Sequence, residues 1–262
     1  MFGLLLFARS IWSVVSNPQR LIRVYTAPLV VGVGFFVLPY LVAGDRWPIM
    51  TNLGGGTFFY DPSLVSPWFI PLSWASSTGL FLCLIWAAVS WHRAVLLQPR
   101  PGDASWLPQL GSIARYLFGL AVVVGTLWGA WIAVDLVVAF LANSFSLNTD
   151  ELLPNKVASI APIAQLWLFL ATSPVMVAAS IGQAKQIWQL LLTTPSRIFV
   201  SLICAACMYG LASGLWWFAD EYMPSYISYV LVSRLGTLFL GMIGISLLTT
   251  IYGHYVEGRD LT

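Results

Sequence analysis

Residues 115–142 read RYLFGLAVVVGTLWGAWIAVDLVVAFLA, and one formal charge, Asp135, interrupts the run after Arg115. As a helix this segment reaches about 42 Å at 1.5 Å per residue. A bilayer's hydrocarbon core is about 30 Å thick. Apolar residues surround the helix on every side, so it lacks the polar face of a soluble surface helix. The run therefore reads as a membrane span.

Five further runs have the same character, at about 24–43, 67–91, 157–181, 197–218 and 226–252. The composition agrees. Of 262 residues, 59% are hydrophobic and 8% are charged, where a soluble domain carries about 25% charged residues. Thirteen Trp, ten Tyr and fifteen Phe suit the aromatic belts of a polytopic protein. The expected fold is an all-α transmembrane bundle of six spans forming a single domain over residues 1–262. The net charge of +2 gives no reason to expect nucleic acid as a partner.

The charges segregate between alternate ends of the spans. One set of ends carries Arg9, Arg20, Arg23, Arg93, Arg100, Arg115, Lys185, Arg197 and Arg259. The other carries only Arg46 and Lys156 as bases, with six acids around them. Nine bases against two is a positive-inside bias, so both termini are expected on the cytoplasmic side of a bacterial inner membrane. The first twenty residues lack the basic n-region and the cleavage site of a signal peptide, and are expected to stay in the protein.

Residues 2–16 are too short to span before Asn17-Pro18, which reads as an N-cap followed by proline at the first helical position. They are expected to form an interfacial helix. Residues 182–197 are a second such candidate, or a continuation of the fourth span. The loop 44–66 contains NLGGGTFFYDPS, whose glycines allow a sharp turn and whose Phe58, Phe59 and Tyr60 suit the outer interface. Spans one, three and five each enter from an arginine, and spans two, four and six each leave through a polar cluster. That pattern suggests three helical hairpins, about 1–100, 101–195 and 196–262.

Candidate chemistry is sparse. His92 and His254, the only histidines, close spans two and six. Two imidazoles at one depth could hold a haem or a metal. Trp91, His92, Arg93, Arg20 and Arg23 are more simply read as contacts to lipid headgroups or to a partner chain. Asp135 and Arg234 lie within spans at matching depth, roughly 12 Å below the outer surface, and could pair. Cys83, Cys204 and Cys207 sit in apolar runs, which raise a thiol's pKa, and read as small packing residues. Gly125-x-x-x-Gly129, Gly210-x-x-x-Gly214, Gly236, Gly241 and Gly244 are candidate sites of close helix approach. Pro28, Pro39, Pro71, Pro162 and Pro174 predict kinks. No nucleotide-binding, metalloprotease or serine-hydrolase signature occurs, so no enzyme activity and no cofactor is expected.

The order NPxRLxR (Asn17, Pro18, Arg20, Leu21, Arg23), WHRxVLL (Trp91, His92, Arg93, Val95, Leu96, Leu97) and HYxEGR (His254, Tyr255, Glu257, Gly258, Arg259) resembles a group of six-span bacterial inner-membrane proteins. The resemblance implies that setting and no activity. The leading functional expectation is a non-catalytic subunit packed against a larger respiratory or photosynthetic assembly and its lipids. A small permease for an apolar or lipid-like substrate, with Asp135, Arg234 and Gln165 in its cavity, is the second expectation. A haem or metal protein using His92 and His254 is the third.

Overall fold

The computed structural model describes residues 2–43, 51–52, 58–59, 67–97, 110–145, 154–183, 195–223 and 226–259. The helices in chain order are α1 (Phe2–Val15), α2 (Pro18–Ala43), α3 (Phe69–Leu96), α4 (Leu110–Phe145), α5 (Pro154–Thr172), α6 (Pro174–Ile181), α7 (Pro195–Tyr222) and α8 (Tyr226–Tyr255). Six helical stretches are long and apolar enough to cross a membrane, one of them formed by α5 and α6 together. The chain is a multi-pass helical bundle. In the loop between α2 and α3, Thr51 and Asn52 pair antiparallel with Phe59 and Phe58, bracketing the glycine stretch. The glycines and Tyr60 lie outside the described residues.

The helices overrun the expected spans because only their middles are purely apolar. Pro18 starts α2 at its first position, where a missing N–H costs nothing. The Asn17 carbonyl accepts from Leu21 N–H, while its side-chain amide donates to Ser16 Oγ. Pro28 and Pro39 lie inside α2 and Pro162 inside α5.

Pro174 does more than kink its span: α5 stops at Thr172 and a new helix starts at Pro174. Proline cannot donate to the carbonyl four residues back. Ser173 Oγ donates to that carbonyl instead, Leu170 O, at 2.8 Å. The short α6 is buried from Pro174 through Ser180, packed among α4, α3 and α8. It ends on Gly182 in the left-handed region, φ 87°, whose N–H bonds back to Ala178 and Ala179. Helix does not continue straight past this point, and residues 184–194 lie outside the described residues.

Consecutive spans are neighbours: α2 lies on α3, α4 on α6, and α7 on α8. Spans four and five are neighbours as well, because α5, the first part of span four, packs mainly on α7. Helix α1 sits against both α7 and α8. Its Gly3, Leu6, Ser10 and Val14 are buried, while Leu4, Leu5, Trp12 and Val15 are exposed. The expected interfacial helix thus has one face on protein and another available to lipid. Gly3 lets it approach Ile203, where an added Cβ would meet side-chain carbon at 2.8 Å. Cys204 packs beside it, its thiol 3.5 Å from Gly3 O.

Of the glycines expected at close helix approaches, Gly236 is at one, and the two G-x-x-x-G pairs are not. Gly125, Gly129, Gly210 and Gly214 face open space. The close approaches are at Gly236 against Leu215, Gly79 against Phe35, and Gly119 against the backbone of α6. A G-x-x-x-G spacing locates a face of a helix and does not say what covers it.

Candidate functional site

One end of the bundle gathers the three motifs of the sequence. Trp91 and His92, on the last turns of α3, are 1% and 0% exposed. They face into the protein and do not snorkel outward. Arg20 and Arg23, on the first turns of α2, are exposed and remain available to headgroups. Arg93 is half-buried and donates from Nη1 to Ser112 Oγ at 3.2 Å, an oxygen that Arg115 Nη2 also reaches at 3.2 Å.

His92 Nδ1 lies 2.7 Å from Thr249 Oγ1 on α8. The Thr249 hydroxyl already donates its single proton to Ile245 O at 2.9 Å. The imidazole Nδ1–H is therefore the donor, and in the neutral ring Nε2 carries a lone pair. That nitrogen is buried without a partner, as are Trp91 Nε1 and Tyr25 Oη. Tyr25 and Trp91 lie tilted against each other at 5.8 Å between centroids, and His92 stacks on Tyr116 at 5.7 Å. A cluster of unpartnered buried polar atoms calls for an explanation, such as a bound molecule.

The HYxEGR segment folds back over α3. Gly258 adopts φ 66°, which turns Arg259 toward the end of that helix. Arg259 Nη2 and Nη1 donate to Leu96 O at 2.7 Å and Val95 O at 3.2 Å, capping carbonyls left open at a helix C-terminus. Its Nε pairs with Glu257 at 2.6 Å. His254 Nδ1 donates to Arg259 O at 3.0 Å, and its ring lies 5.0 Å from that of Phe2.

Between α1, α2, α3 and α8 lies a cavity of about 250 Å³. Arg9 and Ser13 line it from α1 and Arg20 from α2. Trp91, Val95 and Leu96 line it from α3. Ser246, Thr249, Thr250, Gly253 and His254 line it from α8, and Arg259 from the segment after it. The α1–α8 wall is tied by serines: Ser246 Oγ donates to Ser10 O at 2.9 Å and lies 2.5 Å from Ser13 Oγ. Ser246, Thr249, Thr250 and Gly253 follow the i, i+3, i+4, i+7 spacing of one helix face. That spacing was the available signal for this wall.

His92 and His254 have different neighbours, α4 and Thr249 for one, Phe2 and Arg259 for the other. Among the described residues no three His, Cys, Asp or Glu side chains gather as a metal would require. Asp135 and Arg234 fall in α4 and α8, with their side chains outside the described residues. Gln165 is exposed on α5.

Arg197 carries a role that its position at a span end did not reveal. It is 3% exposed, and its Nη2 donates at 2.8 Å to Ala171 O beside the break in span four. Trp167 Nε1 donates to Ile198 O at 2.8 Å along the same α5–α7 seam. Arg197→Met, which keeps the length and removes the donor, is expected to destabilise the fold by about 1–2 kcal/mol. Denaturant titration in mixed micelles reads this directly, and an unchanged midpoint would remove the role.

No protein-family model, no curated protein and no solved structure matches the chain.

Proposed function

We propose that this is a non-catalytic multi-pass protein of a bacterial inner membrane, with its base-rich end in the cytoplasm, where the cavity holds the anionic headgroup of a lipid or lipid-like molecule. The observation that carries this reading is the convergence of Arg9, Arg20 and Arg259 on one cavity beside His254 and the unpartnered Trp91 Nε1. Guanidiniums lining a cavity favour an anionic occupant; Arg259 is already paired with Glu257, and Arg20 is exposed. Lipids retained through gentle detergent purification are expected to be enriched in anionic headgroups, and Arg20→Gln is expected to reduce that enrichment. Retention matching the bulk membrane composition would sink the reading. Single cysteines placed in residues 44–66 and near the C-terminus test the orientation: impermeant thiol reagents should label them from opposite sides.

A second reading, a subunit packed against other membrane chains, has its own support. Gly125, Gly129, Gly210 and Gly214 offer smooth exposed faces on α4 and α7 that the bundle does not use. It requires a stoichiometric partner that co-migrates in mild detergent. A stable lone monomer would count against it.

A further inference from the structure

Resting on the headgroup reading, we infer that the cavity selects a lipid whose anionic headgroup carries hydroxyl donors of its own, a polyol phosphodiester. Four hydroxyls line the cavity: Ser13 from α1, and Ser246, Thr249 and Thr250 from α8. A hydroxyl has one proton to donate and two lone pairs with which to accept. In this wall the protons are already committed. Ser246 Oγ donates to Ser10 O, Thr249 Oγ1 to Ile245 O and Thr250 Oγ1 to Ser246 O, each at 2.9 Å. Ser13 Oγ lies 3.0 Å from Ser10 O and 2.5 Å from Ser246 Oγ, and its proton goes to one of the two. Turning any of these hydroxyls outward would cost the bond it already makes. What the α1–α8 wall offers an occupant is lone pairs.

The α2–α3 side offers the reverse. Arg20 has donors only, and Trp91 Nε1–H is buried with no hydrogen-bond partner among the described residues. The cavity therefore has a donor side and an acceptor side, and an occupant that satisfies both must carry acceptors and donors. Phosphate oxygens answer the first side and would leave the hydroxyl wall facing further acceptors. A choline head brings no donor. The hydroxyls of a glycerol head bring donors without adding charge. Thr249 Oγ1 already accepts from His92 Nδ1 at 2.7 Å, so the half-buried Ser13 and Thr250 are the acceptors most open to them. Size keeps the chains out. About 250 Å³ corresponds to about eight waters at roughly 30 Å³ each, enough for a polar head and too little for acyl chains. Trp12 and Val15 on α1 and Ile22 on α2, exposed within two positions of Ser13 and Arg20, give the chains an apolar flank.

The test uses the full chain, delipidated in mild detergent and titrated calorimetrically with dioctanoyl phosphatidylglycerol, phosphatidylethanol and phosphatidylcholine. The first two carry the same phosphodiester charge, and the ethanol head lacks hydroxyls. Phosphatidylglycerol should bind about tenfold more tightly than phosphatidylethanol, the worth of one to two neutral hydrogen bonds. Thr250→Val, which keeps the shape and removes the acceptor, should cut that preference by about threefold or more. Thr250→Ser should keep it. Where the valine variant fails to fold, Ser13→Ala gives the same readout. Equal binding of the two anionic lipids, or a preference that survives both Thr250→Val and Ser13→Ala, would overturn this inference and leave the headgroup reading standing. Phosphatidylcholine binding as tightly as phosphatidylglycerol would remove both. Glycerophosphoglycerol, the same head without its chains, competing at the same concentration as phosphatidylglycerol would assign the site to a soluble polyol phosphate and overturn the lipid part.

Discussion

Trp91→Ala is expected to lower the stability of the bundle by about 3–5 kcal/mol. The indole is 1% exposed and among the largest fully buried side chains of the described residues. It packs against Tyr25 of α2 and forms the α3 wall of the cavity. Lipid chains are as apolar as the interior, so the loss is one of contact rather than of hydrophobic transfer. A truncated side chain here would enlarge a cavity whose neighbours are anchored: His92 to Thr249, and Leu96 to Arg259. Neither can collapse inward without breaking a hydrogen bond. Trp91→Phe keeps most of the ring and should cost far less. Unfolding in detergent–denaturant mixtures, followed by circular dichroism, separates the two variants. Similar small losses for both would mean that the indole is not a packing element.

Gly119→Leu should cost about 3 kcal/mol through overpacking. A Cβ at Gly119 would stand 3.0 Å from Met176 Cα, 3.3 Å from Ala179 Cβ and 3.4 Å from Val175 O. Two of those atoms belong to the backbone of α6, which is enclosed by α3, α4 and α8 and has no free direction in which to move. The matched control is Gly125→Leu on the same helix, where nothing lies within 4 Å of the added Cβ. It should leave stability within about 0.5 kcal/mol. Equal effects of the two substitutions would show that helix propensity, and not the α4–α6 contact, sets the response. Under the subunit reading Gly125→Leu has a separate signature: an intact fold that no longer co-migrates with its partner.

The spans could be read from the sequence because bilayer thickness imposes a length and an apolar composition that nothing else in a protein mimics. Pro18 at the start of α2 was equally legible, since proline fits that position for a local reason. Properties that depend on which way a helix is turned were not. Gly125 and Gly129 have the spacing of a packing seam and face outward, while the isolated Gly119 meets α6. Trp91, His92 and Arg197 sit where chains usually leave a membrane, and interfacial preference alone would place them there. Their burial comes from what folds over them: α8 with its terminal turn, and the end of α5. The cavity joins residues from position 9 to position 259, a separation that helical periodicity cannot bridge. The hydroxyl-lined face of α8 left a local trace, and Arg20, Trp91, His254 and Arg259 were legible one by one as residues at span ends but not as neighbours.

The interruption at Ser173 and Pro174 has a mechanical meaning. The two halves of span four are fastened to different companions, α5 to α7 through Trp167 and Arg197, and α6 to α4 through Gly119. The span is an articulated strut rather than a rod. A slide of α7 past α4 would be taken up by rotation about this joint, with the α6 wedge left in place.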